Sequence, residues 1–129
     1  MPDIDADKKQ STLLVLFIPS ADRFGKSIGR KKQDQWVHKA LTVLGTLMGG
    51  ATAYPRGLGV WRDDAQGGDL VWDKPVLIQC YTTEETIEQQ AGNLRQFLVE
   101  MGAKTRQGAV GFVIDRDYFE THFPLENNP

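Results

Sequence analysis

The sequence predicts an α+β fold with six elements in the order β-α-β-β-α-β, and three observations predict it. Residues 13–18 form a continuous apolar run, which suits a central strand covered on both faces. Two stretches with helical spacing, residues 36–48 and 84–101, flank a strand pair between residues 58 and 81. A second strand-like run, residues 109–114, closes the order. That succession is the split βαβ arrangement of the ferredoxin-like fold. It leads to an expected four-stranded antiparallel sheet, order 4-1-3-2, with both helices on one face.

Each element has a local reason. Residues 1–10 alternate Asp and Lys with almost no apolar content, so a disordered tail is expected there, followed by a single domain over residues 11–129. Pro19 and Ser20 end the first strand. The following segment carries Arg23, Lys26, Arg30, Lys31 and Lys32 around Gly25 and Gly29, and reads as a mobile basic loop. Asp34 is the expected N-cap of the first helix, whose apolar positions are Trp36, Ala40, Val43, Leu44 and Leu47, with Gly49-Gly50 as its stop. Centring a hairpin turn on residues 65–68 sets Trp61 opposite Trp72. Pro75 then implies a bulge or a change of strand partner, because proline donates no ladder hydrogen bond. Thr82 and Glu85 form a capping box ahead of an apolar stripe of Ile87, Ala91, Leu94, Leu98 and Met101, which Gly102 closes.

Composition narrows the function classes. In 129 residues, 40% hydrophobic and 25% charged content is that of an ordinary globular chain, large enough for its own core. A formal net charge of −2 disfavours a general nucleic-acid binder, whose affinity comes from basic surface. The one cysteine, Cys80, leaves no internal disulfide framework and alternates with Ile78 and Val76 as an inert core thiol. No apolar stretch is long enough to span a membrane, the N-terminus does not read as a signal peptide, and a cytoplasmic location is expected. No cofactor is implied.

Four constellations are candidates for chemistry. Residues 20–27 miss the phosphate-binding loop pattern by one position, since Ser20 stands where its first glycine belongs, and Asp115 only mimics the magnesium-holding aspartate. A weaker anion site at Lys26 and Arg30 survives that test. Tyr54, Arg56, Trp61 and Arg62 combine flat apolar faces with guanidinium groups and make a ligand-binding set for a small anionic or aromatic molecule. Asp63, Asp64, Asp115 and Asp117 are candidate hard-metal ligands if they converge. His38 and His122 have no cysteine or acid at ligand-like spacing, so no metal site is assigned to them.

Three stretches together, residues 17–25, 50–55 and 57–64 with its Gly-Val-Trp-Arg-Asp-Asp run, resemble a group of small uncharacterised bacterial proteins of ferredoxin-like build. The resemblance implies the fold and a site near residues 54–64, and transfers no catalytic residue. The function expected on these grounds is a non-enzymatic ligand-binding or regulatory module. The alternative is a small metal-assisted or acid–base hydrolase using Asp63, Asp64, Asp115 or His38. Because two helices cover one sheet face while the strands are apolar on both, a homodimer through the open face is expected, with some cover from residues 118–123.

Overall fold

β1 (Thr12–Ile18) runs through the middle of a sheet, with its apolar side chains half-buried or buried and both its edges paired by neighbouring strands. The structure, a computed structural model, describes residues 9–124, so the expected disordered tail lies outside the described residues apart from Lys9 and Gln10. After β1 come α1 (Arg30–Met48), β2 (Thr52–Ala53), β3 (Gly59–Asp63), β4 (Asp69–Asp73), β5 (Val76–Thr82), α2 (Glu84–Lys104), β6 (Ala109–Ile114) and β7 (Asp117–His122). β2, β5, β1, β6 and β7 form, in that order, one antiparallel five-stranded sheet, while β3 and β4 pair only with each other.

The α+β class with two helices therefore stands, and the four-stranded ferredoxin-like sheet of order 4-1-3-2 does not. Pro75 explains one departure. It has no N–H to continue a ladder from β4 into β5, so the chain changes partner there. β4 stays with β3, β5 joins β1, and the short β2 takes the edge that the hairpin was expected to fill. The other departure is at the far edge. Asp115 adopts a left-handed conformation, φ 62°, which a short polar side chain tolerates, and turns the chain back after β6. Residues 117–122 thus add a fifth strand instead of folding over the open face.

Period-two alternation sorts the sheet's two faces. Leu14, Leu16 and Ile18 of β1, Val76, Ile78 and Cys80 of β5, and Val110 of β6 are buried against the helices. α1 contributes Trp36, Ala40, Leu44 and Met48 to this core, and α2 contributes Ile87, Leu94, Phe97, Leu98 and Met101. The Trp36 and Phe97 rings meet edge to face at 6.0 Å. Phe97 joins the buried stripe, whereas Ala91, which the sequence placed in it, is exposed. Burial also pushes the Cys80 thiol's pKa up, so the thiol stays protonated and inert.

The helix ends differ from expectation. α1 begins four residues before Asp34, at Arg30, with Gly29 at its N-cap and no side-chain cap. The cap of α2 is Thr83, not Thr82: Thr83 Oγ1 accepts from the Thr86 N–H at 3.1 Å. α2 also runs through Gly102 to Lys104, and at Gly102 the Phe123 ring and Val110 pack where a side chain would stand.

The basic loop is also not the free connection expected. Asp22 and Arg23 are buried. Asp22 Oδ1 accepts from the N–H groups of Phe24 (2.8 Å) and Lys26 (3.0 Å), and Arg23 Nη1 donates to the Pro124 carbonyl at 2.7 Å. A carboxylate that gathers two loop N–H groups fixes the loop's shape.

Candidate functional site

The β3–β4 hairpin is the feature that makes a site. Freed from the sheet at Pro75, it stands over the open face beside the end of β1. It is tethered near its base, where Gly57 N–H donates to the Pro75 carbonyl at 2.9 Å. A second tether comes from Ser20, whose N–H and hydroxyl both donate to Asp73 Oδ1, at 2.8 and 2.5 Å, while Ser20 Oγ accepts from Lys74 N–H at 2.8 Å. Ser20 is thus a joint between β1 and β4. That role accounts for it, and the phosphate-loop resemblance of residues 20–27 ends there.

Between the hairpin and the sheet lies a cleft of about 490 Å³, within the size range of small-molecule sites. Val60, Trp61 and Arg62 border it on the hairpin side, and Phe17, Gly111, Tyr118 and Glu120 on the sheet side. Phe17 and Tyr118 meet edge to face at 6.3 Å. Tyr118 donates to Glu120 Oε2 at 3.1 Å, and His122 Nε2 lies 3.1 Å from Glu120 Oε1. Desolvation first, then the hydrogen bond and charge of Glu120, push the Tyr118 phenol up to about 12. At neutral pH it therefore keeps its proton and holds Glu120 as a donor.

The cleft's charge is the opposite of the one expected. Among the described residues Arg62 is its single cation, against the carboxylates of Asp64, Asp73 and Glu120. Arg62 grips Asp64 through two contacts, Nε to Oδ1 at 2.6 Å and Nη2 to Oδ2 at 3.3 Å, and this hydrogen bond and charge raise the guanidinium's pKa further. Aromatic walls with an excess of carboxylates suit a ligand that is itself a cation.

The residues singled out in the sequence are divided by the hairpin. Trp61 and Arg62 line this cleft, Arg30 and Arg56 line a second one on the hairpin's other side, and Tyr54 and Lys26 line neither. The register explains the split. Trp61 faces Val71, and Trp72 faces Val60, so the two tryptophans are one residue out of the expected pairing and lie on opposite sides of the ribbon. The acids do not converge either. Asp63 is buried, accepting from Ala65 N–H and Gln66 Nε2; Asp64 is paired with Arg62; Asp115 is in the β6–β7 turn; His38 is exposed on α1. Among the described residues no three His, Cys, Asp or Glu side chains are placed to hold a metal. Glu120 escaped the sequence reading, although Tyr118, Glu120 and His122 alternate as the residues of one strand face do.

No family model and no curated protein matches the chain. Two solved structures share its fold nearly end to end. A phage SAM lyase in complex with S-methyl-5′-thioadenosine superposes with a TM-score of 0.68 at 15% identity, covering 92% of this chain and 97% of that one. A phage SAM lyase in its apo state gives 0.66 at 13% identity, covering 96% and 98%. These chains are enzymes built on the same fold, and they overturn the expectation of a non-enzymatic binding or regulatory module. The dispersed Asp63, Asp64, Asp115 and His38 overturn the hydrolase alternative. No helix is long and apolar enough to cross a membrane among the described residues.

Proposed function

We propose that the protein is a lyase that splits the sulfonium compound S-adenosylmethionine. The observation that carries this reading is the aromatic-walled cleft with one guanidinium and three carboxylates. The end-to-end likeness to a lyase of that substrate supports it. S-Adenosylmethionine brings a sulfonium, an ammonium and a carboxylate on one small frame, with a flat base. Trp61, Phe17 and Tyr118 offer faces to the base and the sulfonium, Glu120 and Asp64 attract the ammonium, and Arg62 attracts the carboxylate.

The chemistry asks little of acid–base groups. The substrate's carboxylate oxygen attacks its own γ-carbon, forming a C–O bond as the C–S bond breaks. The electron pair of that bond stays on sulfur, which leaves as the neutral thioether S-methyl-5′-thioadenosine, and the remaining fragment closes as homoserine lactone. No proton is transferred and no water is consumed. Because the sulfonium charge collapses in the transition state, carboxylates near it contribute binding more than rate. The rate would come from folding the arm back on itself so that oxygen meets carbon, with the aromatic walls keeping water away.

Incubation with S-adenosylmethionine followed by chromatography and mass spectrometry tests the reading. The expected products are S-methyl-5′-thioadenosine and homoserine lactone, with no solvent ¹⁸O in newly formed lactone. Failure to form the thioether overturns it, and ¹⁸O incorporation shows hydrolysis instead.

A further inference from the structure

The second cleft, about 350 Å³, lies across the hairpin from the first and is built differently. Among the described residues Arg30, Arg56 and Lys74 border it, against Asp73 alone among acids. Asp73 already accepts two hydrogen bonds from Ser20. Arg30 and Lys74 have no ion-pair partner among the described residues, and Arg56 reaches Asp34 only at 3.9 Å. α1 opens onto this cleft at Gly29 and Arg30, with no side-chain cap and no acid in its first turn, so its leading N–H groups remain to be satisfied.

A separate observation points to a ligand. Gln33, 1% exposed, is among the residues lining the cleft. Its Nε2 donates to the carbonyls of Ile18 (3.3 Å) and Lys74 (3.0 Å), and its Oε1 is buried with no partner. A buried acceptor left without a donor is costly, and a hydroxyl or amino group entering the cleft would satisfy it. The exposed Trp72 and Leu58 complete the lining with a flat ring and an apolar side chain.

We propose that this second cleft binds a nucleoside monophosphate, with the phosphate on the α1 N-terminus between Arg30, Arg56 and Lys74 and the base against Trp72. An oxyanion, a hydrogen-bond donor and a flat body are the three things the lining calls for, and this class of molecule carries all three. The proposal is independent of the lyase reading, since the two clefts share only Asp73.

Titration of the full chain with adenosine 5′-monophosphate, uridine 5′-monophosphate, ribose 5-phosphate and inorganic phosphate, followed by calorimetry and tryptophan fluorescence, tests it. Both nucleotides are expected to saturate, and to bind about tenfold or more tightly than ribose 5-phosphate, since stacking of the base on Trp72 would be worth that factor. The double variant Arg30→Gln/Arg56→Gln, folded by its melting curve, should lose about tenfold or more in nucleotide affinity. Trp61→Leu should leave nucleotide affinity unchanged. Absence of saturation, equal affinity for inorganic phosphate, or nucleotide binding lost with Trp61 and kept without the two arginines each overturns the proposal. Turnover of S-adenosylmethionine is measured separately, so its failure would leave this result standing.

Discussion

The Tyr118 ring occupies the space that a side chain on Gly111 would need: a Cβ built at residue 111 overlaps both the phenol oxygen and the ring. The two residues sit on adjacent strands, with Gly111 paired to Glu120 and Tyr118 paired to Val113. Glycine at this place lets the ring lean over the backbone into the cleft. Gly111→Ala should therefore cost about 1–3 kcal/mol as an overpacking change. In a Tyr118→Ala background the same change should cost much less, and thermal melts of the four proteins give the coupling directly. Equal costs in both backgrounds would show that the ring does not rest there.

Glu120→Gln should lower kcat/KM for S-adenosylmethionine about tenfold or more, chiefly by raising KM, through loss of a charge-assisted contact. It should change stability by under about 1 kcal/mol, because the residue is exposed. A melting curve and a rate measured on the same preparation separate the two effects.

The Tyr118 phenol gives a pH signature. Its pKa in the fold, about 12, lies above the ordinary 10.0, so the folded state holds the proton longer than the unfolded chain. The stability this contributes is complete below about pH 10 and is lost as pH climbs from there towards 12. Phenolate absorbance, compared with that of Tyr118→Phe, should show Tyr118 titrating late. Glu120→Gln should bring that value down only in part, since desolvation is the larger cause.

Asp22 and Lys26 share one loop and should behave oppositely. Asp22→Ala leaves the N–H groups of Phe24 and Lys26 without their acceptor and should destabilise by about 1–3 kcal/mol. Replacing exposed Lys26, Arg30 and Lys32 by Gln should cost under about 1 kcal/mol each. Denaturant melts of both sets decide whether the acid, and not the basic residues, holds the loop.

The open sheet face leads to a last expectation. Outside the cleft under the hairpin, Tyr81 is 56% exposed there, and Leu77 and Val113 are half-buried. β7 extends the sheet without covering it, so a second copy remains the proposed cover. Sedimentation should show a homodimer, and a monomer at all concentrations would remove it.

How far the sequence can be read follows from these residues. The apolar run of β1 and the stripe of Ile87, Leu94, Leu98 and Met101 reported burial directly, because period and composition there are dictated by one core. The partner change at Pro75 was legible too, since it follows from a missing N–H. The sheet order was not, because no local signal says whether a hairpin joins the sheet or stands above it. A one-residue error in centring its turn was enough to put Trp61 and Trp72 on the same side. The site was half visible: Trp61 and Arg62 announced themselves as an aromatic beside a guanidinium. Glu120 did not, since its role depends on β7 being a strand and on the left-handed turn at Asp115 that makes it one.

Asp73, the last residue of β4, borders both clefts. An anionic group entering either cleft therefore meets the same carboxylate, which already takes two donors from Ser20. Repulsion from one aspartate thus bears on what each side of the hairpin admits.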